Sequence, residues 1–282
     1  MLSKDDKKFL ELYSDSEYEK PSVTVDAVVF RLASKPQQNY RKLPEKKLQV
    51  LLIKREYPPF KNKYSVPGTF IDLNFELSKS MELCLNKKVG LTNYYMEQLF
   101  TFGEKSRDPR TRVISTSFMI LTNPTSEITN GKWFDVDVKE IKSNNEIQKK
   151  EMILTLKKEN EILNSKIQIS LKTNGISEQK NVELTENSLA FDHAKIIFYA
   201  YERLKNKLEY TDIIFNLMPK KFTLTELKMS YETILKTPLL DANFRRKIQG
   251  KVNPIDDFES GQGHRKSQYF IKKDFLDINN IE

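Results

Sequence analysis

Between positions 23 and 121 the apolar residues fall in runs of strand length. Val23 to Leu32 (VTVDAVVFRL) and Leu48 to Lys54 (LQVLLIK) are β-branched and mostly apolar, with a polar, proline-containing stretch at 34–47 between them. Such near-continuous runs predict strands. A second pair is expected at Tyr95 to Gly103 and Val113 to Leu121. Between the pairs, Leu77, Met81, Leu83, Leu85 and Val89 support an amphipathic helix over Glu76 to Val89, which Gly90 is placed to terminate. One helix amid strands predicts α/β layering. The segment 138–187 is polar and rich in Lys, Glu and Asn, with brief alternation at 152–156 and 167–171. It is expected to be a peripheral insertion with one weak hairpin.

From Leu189 the period becomes helical. Phe191, Ala194, Ile197, Phe198, Tyr201 and Leu204 share a face, and a further short helix is expected from Tyr210 to Leu217, stopping at Met218-Pro219. Thr223 and Glu226 have the spacing of a capping box. The helix it opens carries Leu227, Tyr231, Ile234 and Leu235 and must end before Pro238. Asp241 is placed to cap a last helix, Ala242 to Ile248, in which Phe244 and Ile248 lie one turn apart and Arg245, Arg246 and Lys247 occupy the remaining surface. Two short strands follow, near Val252 to Ile255 and Gln268 to Lys272, bridged by Ser260-Gly261-Gln262-Gly263. Three helices and a hairpin are the outline of a winged helix-turn-helix, whose third helix enters the major groove.

Charge sharpens this outline. The 282 residues carry a formal charge of +8. Lys220 to Lys273 holds twelve basic and six acidic residues, so most of the excess sits in this C-terminal stretch. Basic clusters there are what phosphate-backbone binding requires, because each neutralised phosphate releases condensed counterions; a solvated face or a helical dimerisation domain with incidental charge is the plainer explanation. No run is long and apolar enough for a membrane span, and the first residues lack the apolar core of a signal peptide, which places the chain in the cytoplasm. One cysteine, Cys84, and two histidines, His193 and His264, exclude a disulfide framework and an ordinary Cys/His zinc site.

The segment Ser65-Val66-Pro67-Gly68-Thr69, the helix after it and Val89-Gly90-Leu91 resemble the loop-helix-loop of the Nudix family. Aligned on Gly90-Leu91, the family's signature glycine falls on Thr69, its first glutamate on Phe75, its Arg-Glu pair on Leu83 and Cys84, and its Glu-Glu pair on Lys87 and Lys88. Three carboxylates at positions 84, 87 and 88 would share a helix face and could hold Mg²⁺ against a diphosphate. One thiol and two ammonium groups cannot, since a hard cation prefers oxygen ligands. Glu76 and Glu82 point too far apart around the helix to form a shared cage. The binding half of the frame is still supplied: Lys54, Arg55 and Phe60 follow one strand, and Arg107, Asp108 and Arg110 precede another. Arginines there can clamp a diphosphate and an aromatic ring can stack on a base; Arg107, Asp108 and Arg110 could equally form a salt-bridged turn.

Taken in order, Ser22-Val23-Thr24-Val25-Asp26, Phe102-Gly103 to Arg110, Leu189-Ala190-Phe191-Asp192-His193, Phe222-Thr223-Leu224 and Asn243-Phe244-Arg245-Arg246-Lys247 resemble the Nudix-related, NrtR-type transcriptional regulators. The resemblance spans about residues 20 to 273 apart from the polar insertion. It implies an α+β protein: a Nudix α/β/α sandwich with a mixed sheet, residues 1–208, then a winged helix-turn-helix, residues 209–282. It further implies a homodimer that binds a palindromic double-stranded DNA operator, usually as a repressor, and senses a metabolite such as ADP-ribose, with no cofactor required. The expected DNA contacts are Asn243, Arg245, Arg246, Lys247, Arg265 and Lys266. The expected ligand contacts are Lys54, Arg55, Phe60, Arg107, Asp108 and Arg110, with no catalytic or metal-binding residue. His193 is expected to be a hydrogen-bonded structural histidine. The alternatives are an active Nudix hydrolase of the ADP-ribose pyrophosphatase kind with a C-terminal dimerisation domain, and a scaffold that binds a protein.

Overall fold

The computed structural model describes residues 2–14, 18–35, 44–144, 149–173, 178–258 and 267–273. Its centre is a mixed sheet. Strand β1 (Ser22–Lys35) runs parallel to β6 (Val113–Leu121) and antiparallel to β2 (Glu45–Lys54). Strand β5 (Tyr95–Phe102) closes one edge beside β6, and two short strands, β3 (Tyr64–Ser65) and β4 (Gly68–Phe70), pair with β2 and β1. The near-continuous apolar run of β1 follows from its place, since both faces are covered. Val25, Ala27 and Val29 pack under helix α2 (Leu77–Val89) with Met81, Leu85 and Val89; Val28, Phe30 and Leu32 face the opposite layer. That layer is built on α3 (His193–Tyr210). One helix on each face of a mixed sheet is the expected α/β/α sandwich.

The polar segment departs from expectation. In place of an insertion with one hairpin, β7 (Lys132–Asn144), β8 (Lys149–Lys158), β9 (Glu161–Thr173) and β10 (Glu178–Glu186) continue the main sheet as an antiparallel meander from β2. One face buries Leu154, Leu156, Ile167, Ile169 and Val182 in the α3 layer, while alternate residues such as Lys157, Lys166 and Glu151 carry charge. A period of two with one wet face has half the apolar density of β1, and that dilution hides it in composition. A helix that the periodicity does not announce, α1 (Lys4–Leu12), stands before the sheet on a Ser3–Asp6 capping box and buries no side chain.

The C-terminal module holds β11 (Phe222–Thr223), α4 (Leu224–Leu235), α5 (Asp241–Ile248), β12 (Val252–Phe258) and β13 (Gln268–Lys272), with the strands ordered β11-β13-β12. The Thr223–Glu226 capping box forms in both directions. The helix expected over Tyr210 to Leu217 is only a 3-10 turn, Ile213–Leu217, because α3 itself extends to Tyr210. Asp241 does not cap α5: the N-cap is Leu240, and the Asp241 carboxylate pairs with Lys228 of α4. The two parts are not separated by a linker. One apolar cluster runs from the sheet through Ile197, Tyr201 and Leu204 to Leu227, Tyr231, Phe244 and Ile248.

Candidate functional site

At one end of β1 the fold opens a cavity of about 200 Å³ lined by residues of β1, β2, β4, α2, the loop after β5 and the start of α3. Its floor is a buried charge network. Arg107 donates from Nε and Nη2 to the two oxygens of Asp192 at 3.0 and 2.7 Å, and Nη2 lies 3.6 Å from Asp26 Oδ2. Asp26 also accepts from Ser115 Oγ. Burial opposes the Arg107 charge, but the Asp192 hydrogen bonds prevail and raise its pKa further. His193 Nδ1 accepts the Val66 N–H at 3.1 Å, which fixes the tautomer and leaves Nε2 toward Asp26, 3.9 Å away. Burial lowers the His193 pKa, so the ring is neutral. The ring is thus hydrogen-bonded, as expected from the sequence, and it also lines the cavity.

Above this floor sits Phe191, held at φ 52°. Arg55 lies 4.8 Å and Arg110 5.8 Å from the centre of its ring. Arg110 also lies over Phe70 at 5.4 Å and is braced by Asp108, which accepts from its Nε at 3.0 Å and Nη2 at 2.7 Å. Burial, then repulsion from Arg110, lowers the Arg55 pKa. Two guanidiniums that line one cavity and repel each other are stabilised by an anion between them. Lys88 adds a third cation, its ammonium donating to the Gly68 carbonyl.

Of the expected ligand residues, Arg55, Arg107, Asp108 and Arg110 line this cavity. Lys54 and Phe60 do not. Lys54 is exposed at the end of β2, and Phe60 supports Phe191 from outside, edge to face at 4.9 Å. The salt-bridged turn is real for Asp108 and Arg110, whereas Arg107 crosses to α3. The sequence reading missed Asp26, Lys88, Phe191 and Asp192 as lining or bracing groups; a lone carboxylate inside the apolar run VTVDAVVF was the available signal for Asp26. On α2, Cys84 is buried in the core and burial pushes its thiol up to about 11, which removes it as a nucleophile at neutral pH. Among the described residues no group of three His, Cys, Asp or Glu side chains could hold a metal ion.

The second surface is α5. Asn243, Arg245 and Arg246 are exposed, and Arg246 Nη2 donates to Asn243 Oδ1 at 3.2 Å. Lys247 departs from expectation. Its ammonium turns inward, donates to the Leu208 carbonyl at 2.7 Å and lies 4.9 Å from the Tyr231 ring centre. Burial, with Lys251 nearby, lowers its pKa. Arg265 and Lys266 lie outside the described residues. No helix among the described residues is long and apolar enough to cross a membrane.

Residues 214–271 match the family model of the NrtR DNA-binding winged helix domain. The same architecture extends over the whole chain: a Nudix-like sandwich precedes the winged helix. A curated protein of Acinetobacter baylyi described as the ADPR responsive transcriptional repressor NtrR is 28% identical over 93% of this chain and 86% of its own length. Among solved structures, a MutT/nudix family protein from Enterococcus faecalis superposes with a TM-score of 0.65 at 23% identity, over 97% of this chain and 100% of that one. Shewanella oneidensis NrtR, solved in complex with a 27mer DNA, gives a TM-score of 0.59 at 23% identity over 89% and 93%.

Proposed function

We propose that this protein is a DNA-binding transcriptional repressor whose Nudix-like unit binds ADP-ribose or a closely related nucleoside diphosphate sugar without hydrolysing it. The observation that carries the reading is the pairing of Arg55 and Arg110 around Phe191, on the same chain as a winged helix with exposed arginines. The guanidiniums suit a diphosphate and the rings of Phe191 and Phe70 suit a base. The A. baylyi relative, a repressor responsive to ADPR by its description, supports the same ligand class. Loss of hydrolysis is supported by α2, where Cys84, Lys87 and Lys88 line a shallow groove that carboxylates would have to occupy to hold Mg²⁺.

On the DNA side, Asn243, Arg245 and Arg246 would meet base edges and phosphates, with Arg265 and Lys266 reaching adjacent backbone. Operator palindromy requires two such modules, so the working form would be a homodimer. We assign residues 1–208 to ligand sensing and 209–282 to DNA binding. The test is a gel shift on the DNA upstream of the protein's own gene, with and without ADP-ribose, beside a Mg²⁺-dependent hydrolysis assay. A shift that ADP-ribose alters, without turnover, is expected. Clear turnover with no shift would favour the pyrophosphatase alternative.

A further inference from the structure

Helix α3 has one end in the cavity and the other under the recognition helix. Its 18 residues span about 27 Å. At the N-terminal end Phe191 and His193 line the cavity and Asp192 is held by Arg107. Along its length Lys195 pairs with Glu104, Arg203 donates to the Leu99 carbonyl at 3.0 Å, and Lys207 pairs with Glu97, which fastens α3 to β5 and the loop after it. Ala194, Ile196, Ile197, Ala200, Tyr201, Leu204 and Leu208 are all buried, so close-packed side chains transmit strain along the helix. At its far end Tyr201 donates to the Ile234 carbonyl of α4, and Lys247 of α5 donates to the Leu208 carbonyl. That carbonyl belongs to the last turn, where helical partners run out and a positive charge is favoured.

We propose that α3 carries cavity occupancy to the recognition helix, and that Lys247 is the positioning residue that couples α5 to it. The inference rests on the ligand reading above. A diphosphate drawn between Arg55 and Arg110 acts on the two cations packed on the Phe191 ring, at the N-terminal end of α3, and a small tilt of that helix on β5 is felt at the Leu208 carbonyl. Only a differential affinity for the two positions of α3 can move the equilibrium. Lys247 therefore contributes to DNA recognition through the placement of Arg245 and Arg246, without touching DNA.

Hydrogen exchange with ADP-ribose as the probe tests this on the full chain, without knowledge of the operator. In the wild type, ADP-ribose should slow exchange at 189–196 and change it at 241–248 by about 5-fold or more, the lower end of ordinary allosteric coupling. Lys247→Met should keep the response at 189–196, which also reports an intact fold, while the response at 241–248 falls below about 2-fold. Lys247→Arg, which can still donate to Leu208, should restore it. A purely structural lysine would alter α5 exchange equally with and without ADP-ribose, leaving the ratio unchanged; an unchanged ratio in Lys247→Met overturns the coupling and spares the ligand reading. Absence of protection at 189–196 in the wild type overturns the ligand reading, and the coupling falls with it.

Discussion

Replacing Arg107 by methionine tests whether the cavity floor is an ion-pair network on which the fold depends. The side chains of Arg107, Asp192 and Asp26 are 4, 8 and 9% exposed, so water screens little of their interaction. Methionine fills similar volume but leaves two buried carboxylates without their shared cation. Breaking a buried pair in this way costs about 3–5 kcal/mol, several times the ~0–1 kcal/mol of an exposed pair. At roughly 2 °C per kcal/mol for a chain of this length, the melting temperature should fall by about 6–10 °C. The magnitude alone does not separate lost charge pairing from lost packing, and the double variant does. In Arg107→Met/Asp192→Leu the orphaned carboxylate nearest the guanidinium is gone, so stability should recover by about 2 kcal/mol or more relative to Arg107→Met. Chemical denaturation of the wild type, both single variants and the double variant measures this coupling. A single-variant cost below about 1 kcal/mol, or a double variant no more stable than Arg107→Met, would refute the argument.

Three further outcomes follow from the same geometry. His193 is buried and its pKa is lowered by desolvation, so below its ordinary value of 6.5 the unfolded chain binds the proton that the folded ring refuses. Stability should therefore fall as pH drops below about 6.5, by up to about 1.4 kcal/mol per pH unit from this group, and His193→Asn should remove that component in urea titrations across pH 5 to 7.5. Arg55→Ala and Arg110→Ala should each weaken ADP-ribose binding by about 10- to 100-fold, the weight of a charge-assisted hydrogen bond, as calorimetry would show, with melting temperature little changed because Arg55 is half-buried and Arg110 exposed. Arg245→Ala/Arg246→Ala should reduce the slope of log affinity against log salt for DNA by about 2 if both meet phosphates; an unchanged slope would remove them from the interface.

The strands of the central sheet were legible because burial on both faces leaves an apolar run that composition cannot dilute. Helices α2 and α4 were legible for a different reason: Gly90 and the Thr223–Glu226 box are local stop and start signals that need no tertiary context. In the meander β8 to β10 the apolar signal is halved where one face meets water, and only a 3-10 turn forms at Ile213 because α3 runs six residues past Leu204. At the candidate site the arginines were visible as a cluster in sequence, but their division of labour was not. Arg107 is spent on Asp192, which lies 85 residues away. Lys247 illustrates the same limit: Arg245 and Arg246 face solvent, while the end of α3 draws the Lys247 ammonium in to the Leu208 carbonyl.

What survives of the Nudix frame is explained by packing, and what is altered lies where chemistry would be. A Cβ on Gly68 would come within 2.0 Å of Asp26 Oδ1 and 2.9 Å of the Val25 carbonyl. Gly90 ends α2 at φ 71°, where a side chain would also meet Thr129 Cγ2 at 2.6 Å. Gly68 cannot be exchanged without displacing the Val25 backbone and the Asp26 side chain, and a side chain at Gly90 would be strained by its left-handed φ, whether or not the site cuts a phosphate bond. The altered positions carry no such constraint. Thr69 pairs with Val25 as an ordinary strand residue, Lys87 points to solvent, and Lys88 donates its ammonium to the Gly68 carbonyl at the cavity edge. At this loop-helix-loop the Lys88 ammonium stands at the cavity edge, where a carboxylate would be needed to hold a cation against a diphosphate. On the proposed reading a cationic edge favours an anion with no metal ion between them, and turnover should stay low in the Mg²⁺-dependent assay. If ADP-ribose is bound there and left intact, as proposed, the cavity can report the ligand to the DNA-binding module for as long as it stays bound.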